Sequence, residues 1–369
     1  MNEGNEGVDT MRLKSCFYAV FAVFLLILGT WAVPIHGAGE ENEPGKGQVR
    51  ALMYHHFGME DQYPSTSVSM EQFENHLAYL KESDFTVLTL GEALDRLDAG
   101  KAAGETIAVI TIDDGYQSIW DNALPLLEAY GYKATVFIAT EPVGGSGYLD
   151  WEQIRALQDK GYEIGGHSHT HGYFLNRPEG EVTDAFEADL KKSHEAFEAH
   201  LGEVPTLYAY PFGEFEPGMK AVLKNHGYEA SAAQKSGVIY EGTDRFAMPR
   251  FPMNVRFGDL DGFAEKLGMN AMRVVEARPE NPVVGEENPP ALELRIDNAE
   301  INTDGLQCFV AGRPDCGIEA RQEDGILTLR VQAENELTAR RTLYTITAPS
   351  MDGSRWFWYS YSWVIPERK

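Results

Sequence analysis

Cysteine is scarce in this chain, with three residues in 369. That is too few for a disulfide-built scaffold, and nothing around Cys308 or Cys316 has the pattern of a thiolate metal site. Cationic residues are also few: 31 Lys and Arg stand against 57 Asp and Glu, for a formal charge of −26. A surface of that sign repels phosphate backbones, which excludes nucleic acid as the natural partner. It would tolerate a neutral sugar polymer and attract one that carries free amines, and acidity that only keeps the protein soluble explains the charge equally well. No Gly-x-Ser-x-Gly elbow is present, so no serine nucleophile of that kind is expected. The chain has neither internal repeats nor a low-complexity tract, and its 43% hydrophobic and 24% charged content is that of a globular protein.

The one long apolar run lies near the start. Met11-Arg-Leu-Lys is basic and is followed by an apolar stretch from about Phe17 to Val33, broken only by Gly29 and Thr30. Residues 1–38 are therefore expected to be a secretory signal or an uncleaved membrane anchor, with cleavage candidates near Ala32 and Ala38. The rest would then be exported, to a periplasm, a cell envelope or the outside, touching a membrane only through that segment if it is kept. In an oxidising compartment Cys308 and Cys316, flanking a Gly-Arg-Pro turn, are expected to form a structural disulfide.

Residues 39–48 are polar and glycine-rich, as a tether is. Over 49–275 strands and helices alternate. Apolar runs at ALMYHH, FTVLTL, IAVITI, ATVFIA, YEIGG, TLYAYP and Tyr228–Ala232 read as strands. Helical patterns separate them at 70–83, 91–98, 119–130, 150–160, 183–201 and 217–226, with Asp150 a credible N-cap and Gly161 a credible stop. Such alternation implies parallel strands covered by helices, in an open sheet or a barrel. Residues 276–290 are rich in Pro, Glu and Asn and read as a linker. Residues 291–369 alternate apolar with polar at period two, as a small antiparallel β-domain of sandwich type would.

The polar residues at the strand exits carry the chemistry. The run IAVITI ends in Asp113-Asp114-Gly, and YEIGG runs into HSHTH, with His167 and His171 four apart. Each is weak evidence alone: Asp-Asp-Gly suits a turn, and a His-x-x-x-His pair is often coincidence. In parallel β/α folds, however, the carboxyl ends of the strands share one rim. His55/His56, Asp113/Asp114, His167/His171 and Tyr210-Pro211-Phe212-Gly213 all follow predicted strands. One carboxylate and two imidazoles make a three-donor set that leaves a metal position open to water.

These motifs resemble a known family, the polysaccharide deacetylases of the NodB-homology group (carbohydrate esterase family 4). TIDDG is similar to its T-F-D-D-G motif, HSHTH to its H-[ST]-x-x-H motif and YPFG to its R-x-P-Y-G motif, over about residues 50–270. Ala209 stands where that family has arginine, and Phe212 where it has tyrosine. The resemblance implies a distorted (β/α) barrel, with Asp113 as catalytic base and Asp114, His167 and His171 as ligands of a divalent metal, Zn2+ first and Co2+ or Ni2+ as alternatives. The Phe212 N–H would contribute to an oxyanion hole. No Leu-His-Asp segment follows Tyr228, and the domain begins instead with ALMYHHFG. That order resembles the permuted branch acting on poly-N-acetylglucosamine, which implies His55 as general acid. Arg250 is the candidate for orienting Asp113 in place of the absent arginine, and His169 is expected to point away from the ligands. Among aromatics near the rim, Tyr116, Trp120, Trp151, Tyr173 and Phe215 could stack on sugars, although packing suits most of them. One face of the Trp356–Trp363 run must be core, the other free to grip glycan or dock on the first domain.

The expectation is an exported, metal-dependent de-N-acetylase, monomeric, acting on a polymer containing N-acetylglucosamine. Rival readings are action on peptidoglycan, chitin oligomers or an O-acetylated polymer, and a saccharide-binding protein without catalysis.

Overall fold

The computed structural model describes residues 47–297 and 300–368, which lie in one compact unit. The expected signal or anchor, and most of the tether after it, lie outside the described residues. Among the described residues no helix is long and apolar enough to cross a membrane.

Six parallel strands form the first module: β1 (Gln48–Tyr54), β2 (Ile107–Ile112), β3 (Thr135–Ile138), β4 (Glu163–Gly166), β5 (Leu207–Ala209) and β6 (Ala230–Ala232). They pair in sequence order. The sheet curls, and a seam joins its ends: Ala232 bridges Met248, and the two-residue strand β7 (Phe251–Pro252) pairs with β1 in parallel. This is the distorted (β/α) barrel that the family resemblance implied, where the alternation alone allowed an open sheet or a barrel. β2 is buried at every position because strands flank it and helices cover it, which is why it reads as an unbroken apolar run.

Helices α1 (Met70–Glu82), α2 (Leu90–Asp98), α3 (Leu124–Tyr130), α4 (Trp151–Asp159), α5 (Val182–Leu201) and α6 (Pro217–Asn225) lie close to their expected bounds. Asp150 caps α4 with a reciprocal Gln153 bond, a capping box. The expected FTVLTL strand shrinks to Thr86–Leu88, because Thr89 turns to cap α2 in the same way. A seventh helix, α7 (Leu260–Gly268), follows the seam and was not anticipated; only Phe263 and Leu267 of it are buried, too short a stripe to read.

The second module is a β-sandwich of two four-stranded sheets. One pairs β8 (Val274–Arg278), β9 (Ala291–Asp297), β11 (Cys316–Glu323) and β12 (Ile326–Ala333). The other contains β10 (Gln307–Val310), β13 (Arg341–Pro349), β14 (Trp356–Val364) and the short strand Asn270–Ala271. The ladder thus begins at 274, inside the stretch assigned to barrel and linker by composition. A Cys308–Cys316 disulfide ties β10 to β11.

Both faces of β14 are used. Phe357, Tyr361 and Trp363 fill the sandwich core, while Trp358 packs edge-on against Phe251 of the barrel and donates its indole N–H to Ser236. Ser360 meets the same serine. The outer face of this aromatic strand is thus a docking surface on the first module.

Candidate active site and metal centre

Asp113 and Asp114 leave the end of β2, and their surroundings differ. Asp113 is fully buried and takes a two-pronged bond from Arg250: Nη1 donates to Oδ1 at 2.6 Å and Nη2 to Oδ2 at 2.8 Å. Arg250 is equally buried and is fixed by donating Nη1 to the Thr111 hydroxyl and Nε to the Ala233 carbonyl. It reaches Asp113 because it lies on the seam between Met248 and β7, which carries it across the closing edge of the barrel. Burial pushes the Asp113 carboxyl up. The charge of Arg250, then that of His167, the Arg250 hydrogen bonds and His55 outweigh it, so Asp113 sits below its ordinary value.

Asp114 faces the two imidazoles. Its Oδ1 lies 3.2 Å from His167 Nε2 and 3.1 Å from His171 Nε2. The three donor atoms fall within 4.8 Å of one another. Asp114 Oδ1 and His167 Nε2 are nonetheless buried without a hydrogen-bond partner, since the close approaches lack hydrogen-bond geometry. Burial pushes the Asp114 carboxyl up, yet the neighbouring imidazoles and the charge on His55 hold it well below its ordinary value. For His167 burial works downward and Asp114 and Asp113 prevail, so its value is raised. A buried carboxylate facing two imidazoles is a group that could hold a cation.

The donor set fits a metal. Donors at about 2.0–2.1 Å from a tetrahedral zinc ion lie about 3.3 Å apart, close to the contacts seen. His167 donates Nδ1–H to the Ala209 carbonyl at 2.7 Å, which fixes the tautomer and leaves the Nε2 lone pair toward Asp114. The residue standing in the family's arginine position therefore serves through its backbone.

The loops that hold these groups are strained. Seven non-glycine residues have positive φ among the described residues, and four of them are Asp114, Ser168, His171 and Phe212. Such residues persist where surrounding contacts fix them. For the His loop much of that fixing comes from Asp189 of α5, a buried carboxylate that accepts from the His169 and Thr170 amides and the Thr170 hydroxyl. Sequence reading missed it; the available signal was an acid on the inner face of α5, between Phe186 and Leu190. The His169 ring turns away from Asp114, His167 and His171 to the Thr140 hydroxyl, as expected.

His55 follows β1, and its Nε2 is 3.9 Å from Asp113 Oδ2. Burial lowers its pKa against the pull of Asp114 and Asp113. His56 is stacked between Tyr63 and Tyr116 and its pKa is lowered to about 4, mainly by burial. In the Tyr210–Gly213 turn the side chains divide. Tyr210 is core, donating to the Phe246 carbonyl, and Pro211 is buried. Phe212 meets the His171 ring edge-on at 4.5 Å. Gly213 has φ +70°, and a Cβ there would lie 2.3 Å from Gln234 N, so no other residue fits.

A cleft beside the cluster is lined by Asp114, Tyr116, Glu141, Tyr148, Thr170 and His171. Of the five aromatics singled out, Tyr116 lines it and Tyr173 stacks on Phe212. Trp120, Trp151 and Phe215 pack against the protein interior.

Known proteins resemble this chain in sequence and in fold. The family model for polysaccharide deacetylase matches residues 100–231. The YxkH protein of Bacillus subtilis is 29% identical over 200 residues, covering 54% of this chain and 69% of its own. Poly-beta-1,6-N-acetyl-D-glucosamine N-deacetylase of Staphylococcus epidermidis is 27% identical over 282 residues, 67% of this chain and 97% of that protein. In fold, the chain superposes on the Streptococcus pyogenes deacetylase PplD, a structure holding acetate, with a TM-score of 0.54 at 18% identity over 60% of this chain and 99% of that one. The barrel thus matches a solved deacetylase in fold, and residues 100–231 of this chain carry a polysaccharide deacetylase domain.

Proposed function

We propose that this protein removes N-acetyl groups from an exported polymer of β-linked N-acetylglucosamine, of the poly-β-1,6 type, releasing acetate. The observation that carries the reading is the pairing of Asp113 with Arg250 beside the Asp114–His167–His171 cluster. A binding protein needs the cluster at most; a buried, charge-stabilised carboxylate next to it suits a base. The relative from Staphylococcus epidermidis supports the choice of polymer, and the basic and apolar N-terminal segment supports export.

Asp114, His167 and His171 would hold a divalent cation, Zn2+ by its preference for such ligands. That ion would supply Lewis acidity to polarise the acetamide carbonyl and acidify water. Asp113, kept ionised by Arg250, takes a proton from the attacking water. The Phe212 N–H receives charge developing on the carbonyl oxygen; the turn's own bonds use the Gly213 and Glu214 amides and leave this one aside. His55 delivers the proton to the departing amine. Its Nε2 lies 3.9 Å from Asp113 Oδ2, so the proton gathered by Asp113 can pass through this ring to the amine.

The test is acetate release from N-acetylglucosamine oligomers of differing linkage, from peptidoglycan and from an O-acetylated glycan, with and without added Zn2+. The β-1,6-linked oligomer should be the preferred substrate, and Asp113→Asn should lower kcat by about 100-fold or more. Release from none of them by the wild-type chain would leave only a saccharide binder.

A further inference from the structure

The turn that carries Phe212 is gripped from outside the barrel. Phe212 has φ +59° and ψ 4°, a conformation that a residue with a side chain keeps only when its neighbours hold it. Two adjacent arginines at the start of β13 do so. Arg341 Nη1 donates to the Phe212 carbonyl at 2.6 Å and to Gln234 Oε1 at 3.2 Å. Arg340 donates through Nε and Nη2 to the two carboxylate oxygens of Glu214, at 2.8 and 2.7 Å, and through Nη1 to Asn176. The Glu214 side chain is only 3% exposed, so this pair is desolvated and directional.

The side chains continue the contact. The Arg340 guanidinium lies 4.1 Å from the centroid of Tyr173, which stacks on Phe212 at 3.8 Å and 3°. Phe212 in turn meets His171. An unbroken chain of contacts thus runs from the second module to a metal donor. Neither arginine lines the cleft, so neither is placed to hold glycan there.

We propose that Arg340 and Arg341 are positioning residues for the Phe212 turn, which makes the C-terminal β-sandwich a working part of the active site. The proposal rests on the deacetylase reading above, in which the Phe212 N–H meets the developing oxyanion. Its consequence is specific: losing the grip should slow the chemical step and leave ground-state binding alone, because the misplaced group acts only as charge develops.

The experiment uses the full chain. Arg341 is the better target, being 40% exposed on its side chain, whereas Arg340→Ala would strand the Glu214 carboxylate and is made only with Glu214→Ala. For Arg341→Ala we expect kcat to fall about 10- to 100-fold with KM within about twofold. Amide exchange over residues 210–216 should quicken. Arg341→Lys, which can still donate to the Phe212 carbonyl, should recover much of kcat, and Arg321→Ala, exposed on β11, should match wild type. An unchanged kcat in Arg341→Ala overturns the proposal. So does a raised KM with kcat intact, which would make the arginine a glycan ligand. If the wild-type chain releases no acetate, the deacetylase reading fails by itself, and exchange then judges the grip: unaltered protection over 210–216 in Arg341→Ala overturns it.

Discussion

Replacing Arg250 by methionine tests what keeps Asp113 ready to accept a proton. Both side chains are fully buried and share two short bonds. With charge centres about 4 Å apart and an effective dielectric near 20, their attraction is on the order of 4 kcal/mol. Burial drives Asp113 toward the protonated acid and is opposed chiefly by this one cation. Methionine keeps much of the bulk and removes the charge, so burial gains the upper hand and the carboxyl keeps its proton to higher pH. His167 and His55 still favour the carboxylate, which offsets part of the loss. The low-pH limb of kcat/KM, where the base must ionise, should therefore move up by about one pH unit or more, at about 1.4 kcal/mol per unit. The rate deficit should be largest in acid and shrink as pH rises. Stability should fall by about 3–5 kcal/mol, the usual result of unpairing a buried charge, so melting and circular dichroism accompany the rate assay. Arg250→Lys separates charge from geometry, keeping the limb near its wild-type place while kcat drops because one prong is gone. The reasoning is refuted if Arg250→Met folds and its pH–rate profile, taken from roughly pH 5 to 9, overlays the wild-type profile.

Two further outcomes follow from the cluster and the core. Free Zn2+ at about 1,000 times its dissociation constant should stabilise the chain by about 4 kcal/mol, read as a higher Tm, and Asp114→Asn or His171→Gln should abolish the rise. A wild-type melt indifferent to Zn2+, Co2+ and Ni2+ would sink the metal site. His76, buried between the Tyr54 hydroxyl and the Gly258 carbonyl, has its pKa lowered to about 4, mainly by burial. A lowered histidine value favours the fold fully above the unfolded value near 6.5, and that contribution is lost as pH falls toward 4, up to about 3 kcal/mol. Urea melts of wild type and His76→Gln across that window should converge in acid; parallel curves would refute it.

Much of the barrel was legible because its signals are local. Unbroken apolar runs mark strands buried on both faces, and Asp150 with Gln153 marks a helix start within four residues. The candidate metal donors were legible for a related reason. Strand direction alone puts the residues after β2 and β4 on one rim, so one carboxylate of the Asp113–Asp114 pair could be grouped with His167 and His171 before any distance was known, and the family resemblance singled out Asp114. Single-residue strands and two-residue pairings carry no such period. The seam at 239–252 pairs β1 through two-residue segments, and α7 buries too few side chains to show a stripe.

Arg250 and the arginine pair at 340–341 show where local reading ends. Arg250 sits 137 residues beyond Asp113 and meets it only because the seam bends across the barrel mouth. Its role could be guessed from the arginine missing at Ala209, since a buried carboxylate needs a counter-charge from somewhere. Nothing comparable pointed to Arg340 and Arg341. They open a strand whose alternation explains its own core, and surface arginines at strand starts are ordinary. Their partners, Glu214 and the Phe212 carbonyl, became visible only when the two modules were seen in contact. A strained backbone at Phe212 then asks what restrains it, and the restraint lies in a module that composition alone would have set apart as an appendage.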